Sequence, residues 1–216
     1  MPLAILVGLQ AEARLARRLG APVEIGGGTA PGATAAAERA VASGATALLS
    51  FGLAGGLDPA LRPGALVVPE AVWVDGAWLA ADPGLLRRLG GTTPHRLLGA
   101  ETVAADAATK RHLWLQTGAA ALDLESAAVA RTALARGLPF AVLRAVCDPA
   151  ERDLPPAALA ALDAGGAIGL LRVLGSVLAR PGQVPALLTL ASDAAAARRA
   201  LARRIAEIGR RVAQMP

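Results

Sequence analysis

The sequence predicts an α/β protein whose sheet is largely parallel and covered by helices. Three observations carry that expectation. Short apolar runs alternate with helical stretches along the first part of the chain, at the spacing of strand–helix–strand units. One late run, residues 138–147 (LPFAVLRAVC), is apolar almost throughout, as a strand buried in a parallel sheet should be. Asp148-Pro149 stops that run. In open α/β sheets the ligand crevice lies beyond the carboxyl ends of strands, which is where Asp148 falls.

Taken in order, residues 3–9 (LAILVGL) read as the first strand and residues 12–19 as a helix closed by Gly20. A second strand at residues 23–25 leads into Gly26-Gly27-Gly28-Thr29 and a helix from about residue 33 to 42. Residues 46–51 form the next strand, opening into a Gly-rich turn, Gly52-Leu53-Ala54-Gly55-Gly56. Arg62-Pro63-Gly64 turns the chain, and residues 65–74 return as a strand. Between 75 and 118 the pattern weakens: Asp82-Pro83-Gly84 and Gly90-Gly91 are breakers, and residues 102–115 contain a helix. Residues 121–153 are the stretch around which the chain is organised. Asp123 caps a helix, because its carboxylate accepts the free N–H groups of the first turn. Arg136-Gly137 closes that helix, and the buried strand comes next. Leu154-Pro155-Pro156 opens a loop placed to close over the crevice. Two helices, roughly 164–179 and 192–214, flank Arg180-Pro181-Gly182. With no repeat and no second domain evident, residues 1–216 read as one domain with a helical C-terminal part at about 160–216.

The chain is 54% hydrophobic but only 2% aromatic, with no Tyr. Its net charge of +5 comes almost wholly from arginine, Lys110 being the only lysine. That balance invites a nucleic-acid or anionic-membrane partner, but the shortage of aromatics for base stacking argues against nucleic acid. The single Cys147 excludes an internal disulfide and reads as a small core residue. No basic stretch precedes the first apolar run, and charges and glycines interrupt every long one, so a cytoplasmic protein is expected. On the last helix, Leu201, Ile205, Ile208 and Val212 share one face, with Arg199, Arg203 and Arg210 opposite and Arg204 and Arg211 flanking. A docked helix with a solvated basic face is the favoured expectation, ahead of contact with an anionic membrane.

Several chemistries are excluded. No GxxxxGK[ST] is present, and residues 52–56 do not fit GxGxxG. His95 and His112 have no ligand-spaced partners, so no metal site is expected. No GxSxG elbow exists, and Cys147 has no evident His partner. There remain Asp148 at a strand end, Glu125 entering a helix, Glu12 after the first strand, and two Gly-rich turns. That set suits cleavage of a glycosidic bond. The oxocarbenium-like transition state needs a proton donor for the leaving group, an anion near the sugar hydroxyls, and a nucleophile, either activated water or phosphate. Gly-rich turns let backbone N–H groups approach an anion or a ribose.

The stretches SFGLAGGLDPALRPGALVV (50–68) and LDLESAAVARTALARGLPFAVLRAVCDPAERD (122–153) resemble the nucleoside phosphorylase and nucleosidase superfamily. Within it, the chain most resembles the hopanoid-associated phosphorylases, over most of residues 3–160. The resemblance implies a three-layer α/β/α fold with a central mixed, mostly parallel sheet, assembled as a homo-oligomer. It implies no cofactor, with inorganic phosphate as an alternative co-substrate. Asp148 is then the residue that hydrogen-bonds or protonates purine N7. Glu125 binds the ribose hydroxyls with Leu124 packed near the sugar, and Glu12 activates water in the nucleosidase branch. Gly52, Ala54 and Gly55 fall in the loop lining the base and ribose pocket. Arg144, on the strand leading to Asp148, holds that carboxylate or a neighbour at least as readily as it touches ligand. The phosphorylase branch carries an arginine and a serine for phosphate where this chain has Ser50 and Leu53. On chemistry alone, Arg14, or the Gly26–Gly28 amides with Thr29, become the phosphate candidates.

The subfamily likeness implies adenosylhopane, a triterpenoid joined to the 5′ carbon of adenosine, as the substrate. Adenine would be released during hopanoid biosynthesis by an enzyme peripheral to the inner membrane face, in contact through the basic C-terminal helix. A soluble methylthioadenosine or adenosylhomocysteine nucleosidase is the main rival. A non-catalytic nucleoside-binding module is the alternative of another class, and a basic surface protein resting on charge alone is a third.

Overall fold

In the computed structural model, which describes residues 2–159 and 176–213, the apolar runs become one nine-stranded mixed sheet. Strand β1 (Leu3–Val7) lies parallel to both β2 (Val23–Ile25) and β3 (Ala47–Gly56). Strand β9 (Phe140–Asp148) runs parallel to β3 from Leu48 to Gly55. The far end of β3, Gly55 and Gly56, pairs antiparallel with β8 (Ala121–Asp123), which continues through β7 (Leu97–Gly99) to β5 (Ala71–Val74). The short β4 (Leu66–Val67) pairs antiparallel with β9, and β6 (Ala77–Ala80) folds back on β5. Strand β3 is therefore the spine, with β1, β8 and β9 all bonded to it. Its inner residues Leu48, Leu49 and Phe51 are buried with Val142 and Leu143 of β9.

Helices α1 (Gln10–Ala16), α2 (Ala30–Ala42), α3 (Pro83–Arg88), α4 (Ala107–Thr117), α5 (Ser126–Ala135) and α6 (Pro156–Leu159) follow in order, and α7 (Val184–Ala213) closes the described chain. Helices α2 and α5 pack on each other and on β1, β3 and β5, while α7 packs on β3, β4 and β9. The buried residues of α2 and α5 are mostly alanine, which lets helix and strand backbones come close. At Gly99 the approach is close, since a Cβ there would lie 2.4 Å from Ala127 Cβ.

The structure departs from the sequence expectations at identifiable places. Residues 52–56 are no turn: β3 continues through them, with a register shift between Ala54 and Gly55, because β8 and β9 offer ladder partners on the way. The expected strand at 65–74 splits into β4 and β5 around Pro69, which has no N–H to give a ladder. In the stretch that reads weakly, Asp75-Gly76 forms a two-residue hairpin with positive φ at both positions, 51° and 85°. Asp82-Pro83 starts a helix rather than breaking one, for Asp82 Oδ1 accepts the Leu85 N–H at 2.8 Å and Pro83 needs no partner at the first position. Helix α7 begins at Val184 instead of 192, with Pro185 tolerated in its first turn. The helix expected at 164–179 lies outside the described residues except for 176–179, which are helical.

Leu201, Ile205 and Ile208 are buried and Arg199, Arg203 and Arg210 exposed, so α7 is a docked amphipathic helix. No helix among the described residues is long and apolar enough to cross a membrane. Leu201 has no exposed surface, and Leu201→Ala leaves a cavity beneath α7. The expected loss is about 2–5 kcal/mol, read from urea denaturation; a change within about 0.5 kcal/mol shows instead that α7 is not part of the cooperative unit.

Candidate active site

Glu12, Ala54, Gly55, Leu124, Glu125 and Asp148 line one cavity of about 500 Å³. They arrive from the start of α1, the distal half of β3, the turn between β8 and α5, and the end of β9. Glu12 is placed by backbone: its Oε2 accepts the N–H groups of Gly8 (3.1 Å) and Leu9 (2.8 Å), and its Oε1 accepts that of Leu53 (2.8 Å). Asp123 serves the first turn of α5 from two residues before the N-cap position, Glu125, its Oδ1 accepting the Ser126 N–H at 2.9 Å.

Arg144, only 1% exposed, faces these carboxylates from the middle of β9. Its Nε lies 2.5 Å from Asp123 Oδ2 and its Nη2 2.9 Å from Glu125 Oε2. It also donates to Ser50 Oγ at 2.7 Å and to the Leu53 carbonyl at 3.3 Å. Of the roles open to Arg144, the structure shows the neighbour rather than Asp148: it holds Asp123 and Glu125. Ser50, also buried, serves this same network.

Three carboxylates thus face one guanidinium, and burial in this dry site shows in the proton affinities of Glu12 and Glu125. Burial pushes Glu125 up to about 7, with Asp123 and Glu12 adding repulsion and Arg144 opposing. Burial likewise raises Glu12, against Arg144 and its three N–H donors. Space for the carboxylates comes from glycine. A Cβ on Gly8 would sit 2.3 Å from Glu125 Oε1, and one on Gly52 2.4 Å from Glu12 Oε1. Gly52 accordingly belongs behind the site, not on the cavity wall. Gly8 was missed by sequence reasoning; its signal is the glycine that ends an otherwise apolar strand.

Asp148 has a separate environment. Its Oδ2 lies 2.6 Å from Lys110 Nζ, while its Oδ1 is buried with no hydrogen-bond partner among the described residues. Burial raises its pKa, and the bond to Lys110 opposes that rise. Lys110 was also missed; its signal is the lone lysine in an arginine-based chain, since the two side chains are not interchangeable in buried sites. Cys147 is half-buried and borders the cavity, which corrects the reading of a plain core residue; burial first, then Asp148, pushes its thiol up to about 12.

The phosphate candidates lie elsewhere. Thr29 is exposed and spends its hydroxyl capping α2, accepting the Gly32 N–H at 3.2 Å. Arg14 is exposed and absent from the cavity lining, because two residues along a helix turn a side chain about 200° from Glu12. Gly28 does reach the cavity. His95 is half-buried and His112 exposed, and no group of side chains arranged to hold a metal occurs among the described residues. The segment after Asp148 contributes Leu154, Ala157 and Ala158 to the cavity wall, and α7 contributes Leu187, Leu190 and Ala194.

The family profile of the phosphorylase superfamily matches residues 21–84 and 80–165. The chain belongs to the phosphorylase superfamily. Solved structures agree in fold. The 5′-methylthioadenosine/S-adenosylhomocysteine nucleosidase from Neisseria meningitidis in complex with methylthio-immucillin-A is 16% identical, with 95% of this chain and 97% of that chain covered at a TM-score of 0.69. Futalosine hydrolase of Helicobacter pylori is 14% identical, over 95% and 97% of the two chains, at 0.66. The nucleosidase from Colwellia psychrerythraea in complex with adenine is 18% identical, over 81% and 94%, at 0.63. No curated protein sequence matches the chain. The three-layer α/β architecture expected from the sequence is therefore that of nucleoside phosphorylases and nucleosidases.

For this phosphorylase-superfamily site the carboxylate cluster has a consequence for stability. The native state keeps a proton on Glu125 up to about pH 7, whereas the free side chain gives it up near 4.5. The unfolded chain binds fewer protons across that window, so stability falls as pH rises from about 4.5 to 7. Burial makes Glu12 act in the same direction. In urea denaturation at a series of pH values, Glu125→Gln should decline less steeply than the wild type through that window. Equal slopes would take the proton away from Glu125.

Proposed function

We propose that the protein cleaves the N-glycosidic bond of an adenosine carrying an apolar group at its 5′ carbon, with adenosylhopane the substrate the sequence resemblance implies. One observation carries the reading: Glu12, Glu125 and Asp148 border one cavity whose walls also hold the apolar Leu124, Leu154 and the α7 residues Leu187 and Leu190, with Lys110 and Arg198 as its cations. Asp148 gives a proton to purine N7, so the base leaves neutral as the C1′–N9 bond breaks. Glu125 accepts from the ribose hydroxyls. Glu12 takes a proton from the water whose oxygen bonds to C1′, and burial raises its proton affinity above that of a free glutamate.

Hydrolysis is the branch favoured. Arg144 is already paired with two carboxylates and is not free to meet an incoming phosphate. Assembly as a homo-oligomer and contact of the basic α7 face with an anionic bilayer belong to the same reading. The exposed Arg199, Arg203 and Arg210 support the latter.

The test is a product assay by mass spectrometry on adenosylhopane and methylthioadenosine, each with and without phosphate. Phosphate-independent adenine release, faster with the lipid-linked substrate, is expected. A sugar phosphate formed only with phosphate overturns the hydrolytic branch, preference for methylthioadenosine overturns the lipid assignment, and adenine from neither points to a binding module. Asp148→Asn should lower turnover by about 10²–10⁴-fold with folding intact. Glu12→Gln should abolish hydrolysis more severely than any phosphorolysis.

A further inference from the structure

We propose that Lys110 is the positioning residue of Asp148: it fixes which carboxylate oxygen carries the transferable proton and sets the pH at which that proton is lost. This rests on the reading of Asp148 as proton donor to the departing base. The ammonium of a lysine has three donors and no acceptor capacity. Lys110, with no exposed surface, meets three acceptors: Asp148 Oδ2 at 2.6 Å, the Arg152 carbonyl at 2.7 Å and the Pro149 carbonyl at 3.1 Å. Its valence is filled, so the cation ties the first turn of α4 to the chain just past β9 and holds the Asp148 carboxylate in one rotation.

Two results follow from that geometry. Oδ2 is occupied by an N–H donor, so the proton that Asp148 delivers sits on Oδ1, the oxygen with no hydrogen-bond partner among the described residues. The fixed positive charge also favours the ionised carboxylate, against the burial that favours the acid. The other ionisable groups around Asp148 are the Arg152 guanidinium on the following loop, Asp193 on α7 and the Cys147 thiol on β9, with Glu12, Glu125 and the Arg198 guanidinium of α7 bordering the same cavity. Arg152 and Asp193 largely answer each other through their ion pair. Lys110 is left as the charge in direct contact.

The test compares pH profiles of kcat/KM for adenine release from methylthioadenosine in the wild type, Lys110→Met, Lys110→Gln and Lys110→Arg. An acid must be protonated to act, so the alkaline limb reports loss of the Asp148 proton in the free enzyme. Removing the charge lets the acid form persist, moving the limb up by about 1 to 3 pH units in the Met and Gln variants. Lys110→Arg keeps the charge and should return the limb toward its wild-type position. Lys110→Gln retains donors for the two carbonyls and carries the comparison if the Met variant does not fold.

A ¹³C-carboxyl NMR titration of Asp148, assigned through Asp148→Asn, reads the same shift without turnover. A folded Lys110→Gln with an unmoved Asp148 titration and an unmoved limb, whatever its loss of rate, overturns the proposal and leaves Lys110 as loop support. Full activity in Asp148→Asn instead overturns the acid assignment, and the titration distinguishes that failure from this one.

Discussion

A guanidinium in the interior of a sheet is costly to desolvate, and the site is arranged around meeting that cost at Arg144. Taking such a charge out of water costs several kcal/mol even after relaxation, so its pairing decides whether β9 can pass through the core at all. Asp123 and Glu125 supply the counter-charge, and Ser50 and the Leu53 carbonyl take further donors. Asp123 serves twice, bonding the first turn of α5 with one oxygen and pairing Arg144 with the other. The start of a helix, the end of β8 and the centre of β9 are thereby locked by a few atoms. Remove the cation and three buried carboxylates are left facing one another; remove Asp123 and both an acceptor for the first turn of α5 and a charge partner go.

The crowding of that cluster explains where the chain uses residues with little or no side chain. Gly8 and Gly52 leave room where carboxylate oxygens approach within 2.4 Å of an imagined Cβ. Alanine on α2 and α5 lets those helices lie close on the strands that carry the acidic groups. The high alanine content, uninformative as composition, is a packing choice that brings helix starts and strand ends into one volume.

This also separates what the sequence could reveal from what it could not. The strands around Ile5, Leu48 and Val142, the bond from Asp123 to the first turn of α5 and the closure of α5 at Arg136-Gly137 were legible, because burial and capping are local patterns. Glu12, Glu125 and Asp148 could be placed at element ends for the same reason. The Gly52–Gly56 run looked like a turn because glycine signals flexibility in isolation; its ladder partners on β8 and β9 are distant in sequence. Asp82-Pro83 looked like a breaker, though the same pair is a helix start once Leu85 follows. The Lys110–Asp148 contact spans α4 and the end of β9, and no local pattern reports it. Arg14 and Thr29 went wrong in the opposite way, since suitable chemistry nearby in sequence says nothing about the direction a helix turns it.

The two ends of the cavity are electrically unlike, and that difference sorts acid from base. At one end burial raises the proton affinity of Glu12 and Glu125, with repulsion from neighbouring carboxylates adding to it at Glu125 and the Arg144 cation opposing it at both. At the other, one carboxylate sits against one lysine, its affinity set by burial against a fixed charge. Groups that titrate for different reasons can occupy different protonation states at one pH, which a reaction needing a base on one side of the sugar and an acid at the base requires. Because Arg144 belongs to the first end and Lys110 to the second, the two states are set by separate cations. The chain's one lysine keeps the acid independent of the cluster that supplies the base.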